Sequence, residues 1–433
     1  MINATNAPLD PVSEATLASR GLRLGLVDTA DRAAFTTWLR ADHRGFHMAE
    51  QSDEVIEANL AGLAYRRTTG VWDGSASDAA SPVATVNSWV ADLTVPGGRH
   101  VDAWAISSVT VAPTHRRRGI ARALLEGELR TAAGLGVPLA TLTVSESTIY
   151  GRFGFAAATF SADVTIDTRR ATWTGPTPDG RLHFITLAEF RTLVERLHDQ
   201  QRATAAGQLD GWAARWDALS GAVNDDKDRT KNLRAIRYDD AAGVAQGVAL
   251  YRVSNGEVDY AAHTLTLEHL VSVTDDAYAA LWRFVLEVDL VSTVKTWDRP
   301  VDEPVIWQVA DLRAVKLQPY DHVWTRILDI PAALTARGYA APLSTVLEVS
   351  DELGFAFGTY TVTVVDGSAT VDSTDAPAGL SLRINELSAL YLGGVSAAAL
   401  AAAGRIHERE PGAAAAVDAA FRSARAPWSS IWF

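Results

Sequence analysis

The fold of this chain is decided by one stretch, Ser108-Val-Thr-Val-Ala-Pro-Thr-His-Arg-Arg-Arg-Gly-Ile-Ala121. Its Val and Thr residues predict the end of a strand, Pro113 predicts a short loop, and a helix is predicted to begin near Gly119. Backbone N–H groups at such a helix start point toward one place, where the positive end of the helix dipole adds to them. The stretch therefore predicts a pyrophosphate-binding site.

The side chains of this stretch favour the same interpretation. Gly119 has no Cβ, so a ligand can approach the main chain closely, and Arg116, Arg117 and Arg118 can donate charge-assisted hydrogen bonds. Two alternatives stay open: an Arg run can be a solvated basic patch that attracts nucleic acid, and a Gly at a helix start can be simple turn chemistry. Walker loops and dinucleotide fingerprints are excluded, because Gly-Lys-Ser/Thr and Gly-x-Gly-x-x-Gly are both missing here.

The segments on either side alternate between helix and strand patterns. Around the motif, helices are predicted over residues 31–39, 53–65 and 118–133, and strands over 81–95, 101–111 and 139–144. A similar order returns later, with helices over 187–198 and 275–286 and strands over 247–253, 257–262, 267–273 and 305–310. The last part predicts strands over 343–349, 354–365 and 367–373 and helices over 385–392, 396–403 and 412–422. The pattern indicates an α/β fold with mixed sheets and a weak internal duplication.

Composition narrows the possible functions. The length of 433 residues suggests about three domains. A formal net charge of −13 disfavours nucleic acid and anionic membranes as partners and suits cationic small molecules. The chain has no cysteine, which excludes disulfides, thiolate metal sites and an acyl-cysteine intermediate. No run of about eighteen apolar residues predicts a membrane span, and the first residues lack the pattern of a signal peptide, so we expect a cytoplasmic protein.

Two histidines form the one pattern that could suggest a metal. His43 and His47 stand four residues apart, which on a helix places both on one face, as metal ligands or as acceptor-site residues. Gly45 lies between them and no carboxylate completes an obvious ligand set. An exposed or packing role is the alternative, and no metal site is predicted.

Two motifs carry a resemblance to known proteins. Arg116-Arg-Arg-Gly-Ile-Ala121 resembles the Arg/Gln-x-x-Gly-x-Gly/Ala signature of the GNAT superfamily of N-acetyltransferases. Ser145-Glu-Ser-Thr-Ile-Tyr-Gly-Arg-Phe-Gly-Phe155 resembles the enhanced intracellular survival (Eis) proteins of actinobacteria, and Arg326-Ile-Leu-Asp-Ile-Pro-Ala-Ala-Leu334 agrees at a domain boundary. The resemblance implies an N-terminal GNAT domain over 1–172 with the acetyl-CoA site, a second GNAT-like domain over 173–328 without the cofactor motif, and a sterol-carrier-protein-like α+β domain over 329–433.

The resemblance also implies the residues of the site. Backbone groups of Val109 and Val111, on a splayed strand, would bind the pantetheine arm, and Ser145 would lie near the pantetheine end. The loop and helix start would bind the pyrophosphate through Arg116, Arg117, Gly119, Ile120 and Ala121. Tyr150 would be the general acid that protonates the departing CoA thiolate, because a phenol of pKa near ~10 can protonate a thiolate of pKa near ~8.5 at close range. The alternative for Tyr150 is a packing residue whose hydroxyl is tied to the backbone.

The activity that the resemblance implies is acetyl-CoA-dependent acetylation of a primary amine by direct transfer. The acceptor could be aminoglycoside-like, polyamine-like or a lysine side chain, and the family forms homohexamers. The alternative is a nonenzymatic lipid- or ligand-binding protein with a relic acetyltransferase domain. In the second segment, Thr274-Asp-Asp276 stands where the first has three arginines and a glycine, and its carboxylates would repel a pyrophosphate. We therefore expect one CoA site per chain, and no polar site in the third segment.

The chain ends in an unusual sequence, Trp428-Ser-Ser-Ile-Trp-Phe433. An ordinary terminus is polar and frayed, whereas this one is apolar and should be buried, together with the α-carboxylate of Phe433. The resemblance implies that this carboxylate takes the proton of the acceptor amine. Trp432 stands where well-known relatives have an acidic residue that grips polycations, so highly charged aminoglycosides are expected to bind less well. The alternative is that the last two residues only fix the tail in a groove.

Overall fold

The computed structural model of the protein describes residues 4, 5, 7–223, 226–256 and 259–433. Along this described chain the strands are β1 (Leu22–Leu26), β2 (Arg67–Asp73), β3 (Ala84–Val95), β4 (Arg99–Val111), β5 (Leu139–Thr143), β6 (Ala156–Ala157), β7 (Phe160–Asp167), β8 (Arg181–Ile185), β9 (Arg234–Asp239), β10 (Ala245–Ser254), β11 (His263–Ser272), β12 (Val291–Pro300), β13 (Val315–Asp321), β14 (Val323–Ile327), β15 (Leu343–Ser350), β16 (Gly358–Val365), β17 (Ser368–Ser373), β18 (Leu380–Arg383) and β19 (Ile406–Glu408).

The helices of the same residues are α1 (Pro11–Ala18), α2 (Arg32–Gly45), α3 (Asp53–Leu63), α4 (Ile120–Gly134), α5 (Ser147–Tyr150), α6 (Leu187–Arg202), α7 (Ala213–Ser220), α8 (Lys227–Asn232), α9 (Asp275–Leu286), α10 (Ile330–Ala336), α11 (Ile384–Leu390), α12 (Ala397–Ala402) and α13 (Ala413–Phe421). Several begin at a polar side chain that accepts a hydrogen bond from a first-turn amide, as Asp31 does for α2. In α6, Thr186 and Glu189 form a reciprocal capping box. Local side-chain chemistry therefore sets where these helices start.

One compact unit contains residues Met1–Thr159, His322–Ala424 and Trp432–Phe433. Its larger sheet has the order β1-β2-β3-β4-β5-β14-β6, antiparallel except for the parallel pair of β4 and β5. Helix α4 contributes buried Leu125 and Leu129 to a core shared with Trp104 of β4 and Phe155. A second sheet, β17-β16-β15-β18-β19, belongs to the same unit. The parallel pair and the helix that connects it form the part of the fold that carries the quoted motif.

The other compact unit contains residues Phe160–Asp321 and Arg425–Ile431. Its sheet has the order β13-β7-β12-β11-β10-β9-β8, and again one pair, β11 with β12, is parallel. Helix α9 packs its buried face, including Leu281 and Trp282, onto this sheet. A parallel pair joined through a helix thus occurs in both units, as the predicted duplication requires.

Each large sheet includes one strand from the sequence range that the predicted boundaries assign to the other domain. β7 precedes residue 172 but pairs with β12 and β13 in the second unit. β14 lies before residue 328, within the second predicted domain, but inserts between β5 and β6 in the first unit. In β14, Arg326 forms an ion pair with Asp351 at 2.6 Å, with both side chains almost fully buried. The boundaries at 172 and 328 stay predictions, and the sheets themselves are not continuous in sequence.

Most predicted elements are present, and the fold class is confirmed: mixed α/β sheets. The strand predicted over 305–310 is wrong, because Pro304–Trp307 forms a 3-10 turn; Pro304 fixes the backbone angle and has no N–H for a strand. The strand predicted over 257–262 falls partly on residues 257 and 258, outside the described residues, and residues 259–262 form a turn. In the part of the chain that the structure describes, no helix combines the length and apolarity needed to cross a bilayer.

Candidate active site

β4 and β5 run side by side at one end and separate at the other. Their parallel pairing joins residues 103–105 to residues 139–141, and β4 then continues to Val111 with no further pairing to β5 among the described residues. Strands that separate in this way leave backbone N–H and C=O groups directed into the gap. Val109 and Val111 lie on the separated part of β4 and are half-buried. Their backbone groups can therefore pair with an extended ligand.

A β-bulge lies within this separated part of β4. The register between β3 and β4 shifts between Thr85 and Asn87, and Ser108 has a φ of 57°. Positive φ is unfavourable for a residue with a Cβ, so the bulge needs support from its surroundings. The Thr85 hydroxyl provides such support by donating to the Ser108 carbonyl at 2.8 Å. The bulge redirects β4 within the part of the strand that is not paired with β5.

The loop after β4 presents free backbone amides. A 3-10 turn at Pro113–His115 leads to Arg117 with a φ of 64° and Gly119 with a φ of 71°. Helix α4 begins at Ile120, and no side chain caps the N-terminus of this described helix. Alternating left-handed residues followed by an uncapped helix start form a concave set of N–H donors suited to an oxyanion. The loop fits the predicted pyrophosphate.

The three consecutive arginines have different surroundings. Arg118 forms an ion pair with Asp73 at 3.3 Å, and the same carboxylate lies 3.1 Å from His115. Hydrogen bonds from Ser75, and then from His115 and Arg118, hold the pKa of Asp73 well below its ordinary value. Within the described chain, the exposed side chains of the first two arginines of the run have no ion-pair partner. Arg118 thus stabilises the loop, and Arg116 and Arg117 are available for a phosphate.

Tyr150 lies at the end of the short helix α5, in the apolar core beside β5. Its ring meets Phe155 edge-on at a centroid distance of 6.3 Å, and the residue is 9% exposed. Burial, and secondarily the charge of Glu146, raise the pKa of Tyr150 above its ordinary value. No hydrogen bond joins its hydroxyl to the described part of the chain. The alternative of a packing residue whose hydroxyl is tied to the backbone therefore lacks the hydrogen bond that it requires. The phenol stays protonated and can donate.

The turn that follows Tyr150 is held from the C-terminal part of the same unit. The Asn385 side-chain amide donates to the Gly151 carbonyl at 2.7 Å and to the Phe155 carbonyl at 3.0 Å. Gly154 has a φ of 87°, and a Cβ there would lie 2.9 Å from the Nε of Arg326. A fixed turn of this kind limits the positions that the tyrosine ring can take. Ser145, the remaining predicted cofactor residue, is exposed two residues after the end of β5.

The last residue of the chain lies at the end of β5. The Phe433 N–H donates to the Thr143 hydroxyl oxygen at 3.3 Å, and this hydroxyl donates to an oxygen of the Phe433 terminus. The Phe433 ring meets Trp89 edge-on at 5.4 Å. Ile431 is fully buried, whereas Trp432 is 43% exposed and stacks on His322. The tail is therefore buried as far as Ile431, and the terminal carboxyl group is hydrogen-bonded beside the separated strands.

Asp42 is a buried acidic residue that the sequence-based prediction did not single out. Asp42 follows Phe35, Trp38 and Leu39 at helical spacing, and all four are buried on one face of α2. This spacing was the signal that could have identified it, because a carboxylate on an apolar helix face is not solvated. Burial raises the pKa of Asp42 to about 7, although hydrogen bonds from Ser108 and Thr85 and the charge of Arg66 lower it.

The two histidines of the early segment line an open cleft. His43, His47, Glu50 and their neighbours enclose about 470 Å³ next to α2 and α3. Burial lowers the pKa of His43, so this imidazole is predominantly neutral at neutral pH. Among the described residues, no group of three or more His, Asp or Glu side chains could hold a metal ion.

The third segment contains a polar cleft, and the expectation of none is wrong. It encloses about 760 Å³ and is lined by charged groups that include Glu348, Arg383 and Arg405. These side chains come from β15, from the end of β18 and from the turn after α12, which are far apart in sequence. Linear reasoning could not assemble them, because strand pairing alone brings them to one face.

The second unit has a different helix start at the corresponding place. Thr274 caps α9 by accepting from the Ala277 amide, and Asp275 and Asp276 occupy the first turn. A capped, acidic helix start is unfavourable for a pyrophosphate. We expect calorimetry to give about one acetyl-CoA per chain for the parent protein and unchanged stoichiometry for Asp275→Ala. A second binding event in the parent that the variant loses would contradict this assignment.

Comparisons with known proteins agree with this geometry. Residues 27–158 and residues 207–327 each match the acetyltransferase (GNAT) domain family, and residues 330–430 match the sterol carrier protein domain family. An uncharacterized N-acetyltransferase of Streptomyces avermitilis is 36% identical, over 92% of this chain and 96% of that protein. N-acetyltransferase Eis of Mycobacterium tuberculosis is 35% identical, over 76% of this chain and 81% of that protein.

Solved structures show the same similarity. Eis1 from Mycobacterium abscessus superimposes with a TM-score of 0.81 at 28% identity, covering 95% of this chain and 100% of that chain. A GCN5-related N-acetyltransferase from Kribbella flavida has a TM-score of 0.73 at 24% identity, which indicates the shared fold. The similarity thus extends over both GNAT regions and the C-terminal region.

Proposed function

Because the chain belongs to the Eis-like family of GNAT N-acetyltransferases, we propose that it transfers the acetyl group of acetyl-CoA directly to a primary amine. The protein is an acetyltransferase and acetyl-CoA is its cosubstrate. Direct transfer is supported by the absence of cysteine from the chain. The observation that carries the proposal is the open amide loop at Gly119 on the same unit as the protonated hydroxyl of Tyr150, which no described residue hydrogen-bonds.

Each group in the site has a defined task in this proposal. Acetyl-CoA supplies the acetyl group as a thioester. The free amides of the loop, with Ile120 and Ala121 at the helix start, would hold the pyrophosphate together with the side chains of Arg116 and Arg117. Backbone groups of β4 would pair with the pantetheine arm near Ser145. Tyr150 would donate its proton to the leaving sulfur, which costs less than release of a free thiolate.

The Phe433 carboxylate would accept a proton from the amine as the N–C bond forms. A free α-carboxyl has a pKa near ~3.5 and is a weak base, so proximity would have to compensate. The support for this role is the hydrogen bonding of Phe433 to Thr143 at the end of β5, next to the separated strands.

The proposed acceptor class is a primary amine of aminoglycoside-like, polyamine-like or lysine type. The net charge of −13 favours a cationic acceptor. Trp432 at the penultimate position offers no charge to a polycation, so we propose that less charged or more apolar amines are preferred. The family resemblance also leads us to propose a homohexamer located in the cytoplasm, which light scattering and cell fractionation would test.

A panel of amines tests the function as a whole. The assay measures thiol release from acetyl-CoA with alkylamines, polyamines, aminoglycosides and a lysine peptide, and product mass identifies the acetylated nitrogen. We expect release that depends on at least one amine. No response to any amine, combined with tight binding of fatty acid by the same protein, would instead favour the lipid-binding alternative.

A C-terminal extension tests Phe433. Adding a few Gly and Ser residues after Phe433 converts its carboxylate into a neutral amide and moves the new terminus away. We expect the extended protein to fold and to bind acetyl-CoA as before, with turnover at least about tenfold lower. Full turnover with the best acceptor would refute the role. Truncation is a poorer test, because it also removes the ring contact with Trp89.

A further inference from the structure

A buried polar cluster, which we call the bulge cluster, surrounds the β-bulge of the first unit. It consists of Asp42 on α2, Arg66 before β2, Thr85 and Asn87 on β3, and Ser108 on β4. All except Ser108 are buried, and Ser108 is half-buried. Ser108 is therefore the member through which a ligand in the gap between β4 and β5 could reach the others.

Hydrogen bonds join the members of the bulge cluster in a chain in which each donates to the next, from Arg66 to Asp42. The Arg66 guanidinium donates to the Asn87 side-chain oxygen at 3.3 Å, and the Asn87 amide donates to the Ser108 hydroxyl oxygen at 3.0 Å. Ser108 in turn hydrogen-bonds to the Asp42 carboxylate. The Thr85 hydroxyl lies 3.5 Å from the same carboxylate. A buried cation and a buried carboxylate are thus linked through Asn87 and Ser108.

Packing alone does not explain a carboxylate at this position. Asp42 is 8% exposed and takes part in no ion pair within the described chain. Burying a carboxylate without a direct partner is expensive, and an asparagine could accept the same hydrogen bonds with no charge. The hydrogen bond from Ser108 favours the ionised form of Asp42, and so does the charge of Arg66. Desolvation outweighs them and raises the pKa of Asp42 to about 7.

The chemistry of amine acetylation requires two proton acceptors. An alkylamine arrives as an ammonium ion with three N–H bonds, and the product amide keeps one. One proton must leave before the nitrogen can attack the thioester, and one leaves as the N–C bond forms. The terminal carboxylate takes one of them in the mechanism proposed above, so the cluster can take the other.

We propose that the Ser108 hydroxyl contacts the incoming ammonium group and that Asp42, acting through Ser108, accepts its first proton. This inference rests on the proposed amine acetylation. The ammonium N–H proton passes to the Ser108 oxygen as the Ser108 O–H proton passes to the Asp42 carboxylate. The neutral amine then carries the lone pair that attacks the acetyl carbon. Asp42 later returns the proton to solvent, so Ser108 and Asp42 end each cycle unchanged.

A pair of amines of different basicity tests this route. The best alkylamine of the panel is compared, at about pH 8.5, with its β,β-difluoro analogue, which has nearly the same size but is mostly neutral at that pH because the fluorines lower the pKa of its ammonium form. We expect Asp42→Asn to lower kcat/KM about 100-fold for the alkylamine and by less than about threefold for the analogue. Ser108→Ala should give the same selective loss, and Asp42→Glu should restore part of the activity. The exposed carboxylate of Asp102 on the same strand provides the matched control, Asp102→Asn.

The pH profile and the binding data distinguish the remaining outcomes. In the parent, kcat/KM for the alkylamine should fall below about pH 7, and in Asp42→Asn this limb should move up toward the pKa of the amine itself. Acetyl-CoA affinity should be unchanged. Equal losses of kcat/KM with both amines would assign Asp42 to packing, and no loss would remove it from the reaction. Either result overturns this inference and leaves the proposed function standing. A parent protein inactive toward every amine would overturn the proposed function as well. If Asp42→Asn melts far below the parent, Ser108→Ala alone decides.

Discussion

Replacement of Tyr150 by phenylalanine should lower turnover by about 10²–10⁴-fold and leave acetyl-CoA affinity unchanged. The substitution removes only the hydroxyl, which no described residue binds, so the ring packing against Phe155 stays intact. Without a donor, the CoA sulfur must leave as a free thiolate or take its proton from water. Stopped-assay kcat and calorimetric affinity are the two measurements.

A matched control distinguishes lost proton donation from lost packing. Tyr391 is also buried, but its hydroxyl donates to the Ala333 carbonyl at 3.1 Å. Tyr391→Phe should cost about 1 kcal/mol of stability and leave turnover unchanged. A decrease of less than about tenfold in Tyr150→Phe would return Tyr150 to a packing role.

The double variant Arg117→Ala, Gly119→Asp should weaken acetyl-CoA binding at least about 100-fold, which corresponds to about 2.8 kcal/mol. The new carboxylate would stand among the amides that are proposed to hold the pyrophosphate, and one of the two guanidinium groups proposed to bind it would be missing. A Cβ at position 119 would also meet the guanidinium of Arg20, whose exposed end can move aside. Isothermal titration calorimetry measures the affinity directly.

Gly136 provides the control for backbone strain at position 119. It has a φ of 73°, close to the 71° of Gly119, and a Cβ there would meet nothing within 4 Å. Gly136→Asp therefore imposes the same conformational cost and adds the same charge, at the other end of α4. It should bind acetyl-CoA like the parent. Unchanged affinity in the double variant would remove the loop from the cofactor site.

Prediction from sequence succeeded where the signal was local. The free helix start, the close-approach glycine and the strand before them occupy fourteen consecutive residues. The positive φ of Gly119 follows from its residue type, whereas the positive φ of Ser108 and Arg117 does not. Prediction was weaker where side chains of one residue type differ only in their surroundings. The three arginines look equivalent in sequence, but Asp73 from β2 forms an ion pair with Arg118 and leaves the other two available for a ligand.

The sequence by itself determined the mixed α/β class, the loop with an uncapped helix start after β4 and the tyrosine that follows β5, because each depends on residues close together in the chain. Only the tertiary structure decided that β14 pairs with β5, that Phe433 reaches Thr143 and that Asp42 meets Ser108. These contacts join residues 66 to 290 positions apart, and strand pairing is specified by packing against partners rather than by local propensity. An aspartate at an exposed helix surface and one beneath a β-bulge are the same residue type in the sequence, and only burial distinguishes the pKa values of their carboxyl groups.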